Sequence, residues 1–229
     1  MTLGSTLRSN YSDGRVLCPD DAIDVENINF GHNDVERLDY GEEDIFYMKS
    51  MLPEQVERAS ESYRILASLG VDVPEVYSDP ENGLIAVGSV GEDYRNLQYL
   101  VFTEDEMCED IRDEELIKAA SYKFVVSDSD VYSENILVSP ERDMKMMAVD
   151  YEFAGVSDFQ CYENAFFTLE RFLNRDDLLE EVYEYAREMV GGLEPEKITD
   201  MYVEEIGIEP ERAEQYSKYF RQLPDCLRC

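Results

Sequence analysis

The segment from Ser127 to Gly155 constrains this chain more than any other, because it writes out a β-hairpin with polar groups at its open end. Ile136-Leu137-Val138 is a short apolar run rich in branched residues, and Ser139 to Asp143 is a turn signal containing Pro140. Met146 to Val149 returns as a second apolar strand. In an antiparallel pair, the residue that enters the first strand sits beside the residue that leaves the second. Asn135 and Asp150 are therefore expected as neighbours. Asp130, five residues before Asn135 in the polar loop from Ser127 to Glu134, can fold back over the same spot. Two carboxylates and an amide oxygen converging there form the hard-oxygen set that magnesium accepts together with phosphate oxygens.

Asp130, Asn135 after four intervening residues, and Asp150 after the hairpin resemble the catalytic loop and metal-binding aspartate of the protein-kinase-like superfamily. The helix-like run Glu114 to Phe124 leads directly into the loop, as in HipA-type and phosphatidylinositol-kinase-type enzymes. Ser133 to Val138 and Asp150 to Gly155 look more like aminoglycoside and choline phosphotransferases. The resemblance points to an atypical small phosphotransferase and leaves these two subfamilies open.

The remaining parts of that pattern occur in the expected order. Asp44 to Lys49 reads as a strand ending in a lysine, which matches the ATP-phosphate lysine of the third strand. Pro53 to Leu69 reads as a helix with Pro at its start and Gly70 as its stop. Its Val56, Ala59, Tyr63, Leu66 and Leu69 recur at helical spacing. Glu57 and Glu61 lie four residues apart, and either could be the glutamate that pairs with Lys49; the run from Glu61 through Gly70-Val71 and Val73-Pro74 to Tyr77 resembles the phosphotransferase pattern and favours Glu61. Leu84 to Val87 would be the strand before the hinge, and Gly88 to Gly91 the hinge whose backbone holds adenine.

The chain departs from the pattern at two places. No Gly-x-Gly-x-x-Gly loop precedes Lys49; the candidate is the turn Asn29 to Asp34 around Gly31, where backbone amides can still cradle phosphate. Asp128 stands where the family has His or Asn two residues before the catalytic aspartate, and its added negative charge is expected to disturb metal binding or substrate approach at Asp130. With 53 acidic residues in the chain, Asp130 alone carries little weight; the order of lysine, helix glutamate, Gly-x-x-Gly, Asp-x4-Asn, hairpin and Asp carries the argument.

A net charge of −33 accompanies 44% hydrophobic residues, so the chain is not a disordered acidic tail. Six lysines stand against fourteen arginines. Carboxylates spread along the whole length repel one another at ordinary salt, whereas the Debye length falls to ~3 Å at 1 M. This pattern suggests a protein from a salt-accumulating halophile. The charge argues against nucleic acid and anionic membranes as partners. No run approaches a membrane span and the N-terminus lacks a signal-peptide core. Cys18, Cys108, Cys161, Cys226 and Cys229 are an odd, scattered set that fits a reducing cytoplasm. The C-x-x-C at Cys226 and Cys229 is expected to be a frayed tail, since one such pair and a single histidine cannot fill a four-ligand zinc site.

The expected fold is α+β: a two-lobed kinase-like arrangement with a small, mostly antiparallel N-lobe carrying one helix and a reduced helical C-lobe. Residues 1–25 are expected to be irregular, 26–90 to form the N-lobe, and 91–229 the C-lobe. Tyr162 to Leu173, Asp177 to Val190, Pro195 to Ile206 and Pro210 to Leu223 read as helices. Only 79 residues follow Asp150, too few for the long substrate-docking segments of ordinary protein kinases. The resemblance implies an ATP- and magnesium-dependent phosphotransferase acting on a hydroxyl of a small molecule or a protein. Lys49, held by Glu61, would grip the phosphates; Asn135 and Asp150 would hold magnesium, with Glu152 nearby; Asp130 would take the acceptor proton. The alternative is a weak or inactive kinase-like binding module.

Overall fold

A computed structural model describes residues 6–11, 14–30, 33–41, 44–91, 93–97, 112–128, 135–156 and 178–221. The chain divides between Gly91 and Glu92 into two compact units, each with its own sheet. The fold is α+β, its strand pairs antiparallel throughout the described residues.

The first unit is a seven-stranded sheet with one helix. In chain order its elements are β1 (Leu7–Ser9), β2 (Val16–Leu17), β3 (Asp24–Phe30), β4 (Asn33–Asp39), β5 (Ile45–Ser50), α1 (Pro53–Ser68), β6 (Val76–Asp79) and β7 (Leu84–Gly88). In space the order is β2-β1-β6-β7-β5-β4-β3. Strands β3, β4 and β5 form a meander; the chain then crosses through α1 and returns so that β7 pairs with β5.

Register fixes which side chains share a face. Met48, Ala86 and Tyr77 align across β5, β7 and β6, and Val25, Leu38 and Phe46 align across β3, β4 and β5. Together with Leu7, Leu17 and Leu84 they build one apolar cluster, with the Phe46 ring edge-on to Tyr40 and Tyr77. The neighbouring row, Lys49, Ile85 and Ser78, projects from the opposite face.

Helix α1 covers that opposite face. It packs on β6 and β7, and none of its buried side chains belongs to the first cluster. Pro53 occupies its first turn, and the Gln55 side chain accepts a hydrogen bond from the Leu52 N–H at 3.1 Å. At the other end Gly70 turns left-handed (φ +81°) and Val71 N–H bonds back to the Leu66 carbonyl. Val56, Ala59, Tyr63 and Leu66 are buried, in line with their spacing.

Residues 1–25 correct the expectation of an irregular segment. β1 pairs with β6 and β2 with β1, extending the sheet, and Leu7 and Leu17 are core residues. Two strands of this length carry no period of their own; their extended form comes from the β6 edge, a partner about seventy residues distant.

The second unit contains β8 (Arg95–Asn96), α2 (Asp113–Val125), β9 (Ile136–Ser139), β10 (Lys145–Ala148), α3 (Leu179–Met189), α4 (Pro195–Glu204) and α5 (Pro210–Tyr216). A three-stranded sheet runs β10-β9-β8. α2 packs on α3 and β10, and α4 packs on α5. Asp93 secures the hairpin turn: it accepts a hydrogen bond from the Ser139 hydroxyl at 2.6 Å and pairs with Arg142 Nε at 2.7 Å. The Ser139 bond, with Arg142 beside it, holds the Asp93 carboxyl below its ordinary range. The helix expected over Tyr162 to Leu173 lies outside the described residues, as do the cysteines other than Cys18. Among the described residues, no helix is long and apolar enough to cross a membrane.

Candidate functional site

The hairpin brings Asn135 and Asp150 to its open end. Strand register pairs Ile136 with Ala148, and the next rung is a hydrogen bond from the Val149 N–H to the Asn135 carbonyl at 2.9 Å. Asp150 follows immediately, half-buried, with a left-handed backbone (φ +63°). Asn135 is 9% exposed. A left-handed residue with a side chain costs energy that its surroundings must supply, and such conformations cluster where function fixes a side chain.

Those surroundings start on α2. Lys123 is spaced with Leu116, Ala119 and Ala120 on the buried face of that helix and is itself wholly buried. Its ammonium pairs with the Asp128 carboxylate at 2.9 Å, also wholly buried, and donates a hydrogen bond to the Asp150 carbonyl. It also lies 4.3 Å from the centre of the Tyr151 ring, within cation–π range. The Tyr151 hydroxyl in turn donates to the Ala148 carbonyl at 3.1 Å, closing the strand end.

Asp128, expected from the sequence as an extra charge beside Asp130, is buried and paired in the structure. Its carboxylate is taken up by Lys123, and its own N–H bonds to the Lys123 carbonyl at 2.9 Å. The preceding residue, Ser127, is also left-handed (φ +49°), and its hydroxyl donates to the Tyr216 carbonyl at 2.6 Å while accepting from the Tyr219 N–H at 3.1 Å. The Ser127 carbonyl accepts from the Gly155 N–H at 3.1 Å. Gly155 is left-handed, and a Cβ there would sit 3.2 Å from the Tyr216 ring, so this crossing needs glycine. The C-terminal helices thus clamp both the loop before Asp130 and the turn after Asp150. Tyr202 on α4 reinforces the same end: its buried hydroxyl donates to the Val125 carbonyl at 2.9 Å, and burial raises its pKa strongly.

Asp130 lies outside the described residues, as does the Gly31-His32 connection between β3 and β4. Glu152 is buried and engaged with another group. In the first unit Lys49 sits on β5 between Val35 and Ile85, on the sheet face that α1 covers. Glu57 and Glu61 lie one turn apart on the less buried side of α1, both half-buried; these two and Lys49 each have interaction partners. Gly88 ends β7 and donates its N–H to the Glu75 carbonyl at 2.7 Å; the Ser89 N–H goes to Ile45, and the Gly91 N–H to the Ser89 hydroxyl.

Lys123 and Ser127 were not singled out from the sequence. Lys123 carried a signal, being one of six lysines and placed where the α2 pattern calls for an apolar residue. Ser127 carried none, since its partners are about ninety residues away. No family model matches the chain, and no curated protein matches it.

Proposed function

We propose that this protein is an ATP- and magnesium-dependent phosphotransferase of the protein-kinase-like superfamily, with the first unit as N-lobe and the second as C-lobe. The observation that carries this reading is the hairpin end, where Asn135 and a left-handed Asp150 stand together over a buried Lys123–Asp128 pair. In support, Lys49 occupies the third strand of the β3-β4-β5 meander and is followed at once by α1, the placement kinases give their phosphate lysine and helix glutamate.

The donor set fits magnesium. Among the described residues no three His, Cys, Asp or Glu side chains gather into a self-sufficient metal cage. Magnesium is ordinarily held by one or two protein carboxylates with phosphate oxygens and water completing the shell. Asn135 and Asp150 would hold it, and the ion would neutralise charge on the phosphates. Lys49, steadied by Glu61 or Glu57, would hold the nucleotide phosphates. Asp130 would orient the acceptor hydroxyl and accept its proton. The acidic surface would favour a cationic acceptor, which keeps aminoglycoside-like compounds among the first to try.

Thermal-shift titration with ATP, in the presence of magnesium or of EDTA, tests the reading. Stabilisation that needs both partners supports it. A folded protein whose melting temperature ignores both would sink the enzyme and the nucleotide-binding module together.

A further inference from the structure

We propose that Lys123, with its charge balanced by Asp128, is a positioning residue that fixes the backbone of Asp150 in its left-handed conformation and so aims the Asp150 carboxylate. The role in magnesium binding rests on the phosphotransferase reading; the positioning itself does not. Three contacts of one ammonium group carry the inference: the Asp128 carboxylate at 2.9 Å, the Asp150 carbonyl, and the Tyr151 ring at 4.3 Å. Lys123 and Asp128 have no exposed side-chain surface, so water does not compete for these bonds. The carbonyl held by Lys123 belongs to the left-handed residue itself, so this bond and that backbone conformation occur together. Asp128 supplies the charge that makes a buried ammonium tolerable. The pair thus converts the end of α2 into a clamp on Asp150, two residues after β10.

Substituting Lys123 alone leaves a buried, unpaired carboxylate and risks misfolding. The test therefore uses the full-length chain with both charges removed, Lys123→Met with Asp128→Leu, alongside the wild type. Backbone φ of Asp150 is read by NMR from its Cα and Cβ shifts and its amide–Hα coupling after aspartate-selective labelling. Left-handed values in the wild type that become ordinary negative-φ values in the double variant support the proposal. Left-handed values retained in the folded double variant overturn it, because the hairpin alone then fixes Asp150. A second measurement needs no variant: the wild-type Lys123 ammonium protons should exchange slowly and show cross-relaxation to the Tyr151 ring. A fast-exchanging Lys123 ammonium overturns the proposal even if the double variant fails to fold. Magnesium-dependent ATP affinity is measured on the same samples and should fall at least tenfold in the double variant. No ATP binding by the wild type would refute the phosphotransferase reading, while the NMR result still decides the clamp.

Discussion

The Lys123 ammonium and the Asp128 carboxylate lie 2.9 Å apart with neither side chain exposed to solvent. A sealed pair of this kind adds little net stability over well-packed apolar side chains, but breaking it strands a charge in the core. Lys123→Met and Asp128→Leu should each cost about 3–5 kcal/mol. The double variant should cost less than either single one, leaving mainly the orphaned Asp150 carbonyl, worth about 1–3 kcal/mol. Chemical denaturation of the four proteins in the cycle measures this directly. Additive single costs would show that the pair is not energetically coupled.

The site residues should separate by role. At a hundredfold excess of ATP over its dissociation constant the wild type should gain about 2.7 kcal/mol. Asp150→Ala and Asn135→Ala should lose the magnesium-dependent part of that gain. Asp130→Asn should bind ATP normally yet transfer phosphate about 10²–10⁴-fold more slowly, because only the proton acceptor is removed. Equal transfer rates in Asp130→Asn and wild type would remove Asp130 from the mechanism.

Lys49 should be the lysine labelled by an acyl-phosphate derivative of ATP, since it is assigned to the phosphates and only five other lysines compete. Peptide mapping gives the modified residue, and unlabelled ATP with magnesium should protect it. Labelling confined to Lys118, Lys145 or another surface lysine would place the phosphates elsewhere. Glu57→Gln and Glu61→Gln, compared by the same labelling rate, decide which glutamate steadies Lys49.

The hairpin was legible because everything it needs is local: two apolar runs, a proline-containing turn and the pairing rule that puts Asn135 and Asp150 at one open end, although the register sets Asn135 opposite Val149, one residue before Asp150. Helix α1 was equally legible, with Pro53 and Gly70 marking its ends. The β1 and β2 strands and the Ser127 clamp were not. Leu7 owes its burial to β6, and the Ser127 hydroxyl owes its bonds to Tyr216 and Tyr219; neither partner is visible to a local pattern. Asp128 has a partner that no local pattern announces: seen in sequence it is one more negative charge beside Asp130, and in the structure it is buried and paired with Lys123, five residues earlier.

Alkali should unfold the protein through its tyrosines. Burial, with the Glu75 charge second, raises Tyr11 to about 12; burial, with neighbouring acidic groups including Asp21 and Asp44, raises Tyr40 to about 12. Both start from an unfolded value of 10.0. The folded state therefore holds protons that the unfolded chain gives up, and stability falls as pH rises from about 10 towards 12. Below pH 10 these groups contribute no slope. Tyr202, fully buried and bonded to Val125, should ionise only on unfolding. Phenolate absorbance and circular dichroism followed on one alkaline titration should show the last tyrosine fraction appearing together with loss of structure.

Salt should act on the charged surface and leave the buried Lys123–Asp128 pair unaffected. Ion pairs such as Arg15–Glu75 and Arg112–Asp143 are exposed on both sides, and such pairs contribute little. The dominant surface effect is repulsion within a net charge of −33. Raising KCl from tens of millimolar to about 1 M shortens the Debye length to ~3 Å and should stabilise the fold, even though it weakens those exposed pairs. The sealed Lys123–Asp128 pair should be insensitive, so the cost of Lys123→Met should be the same at both salt concentrations once the protein is folded. Circular dichroism across a KCl series, repeated on Lys123→Met, measures both expectations. A wild type equally heat-stable at low and high salt would overturn the halophilic reading, and a basic protein partner covering the carboxylates would become the better account of the charge.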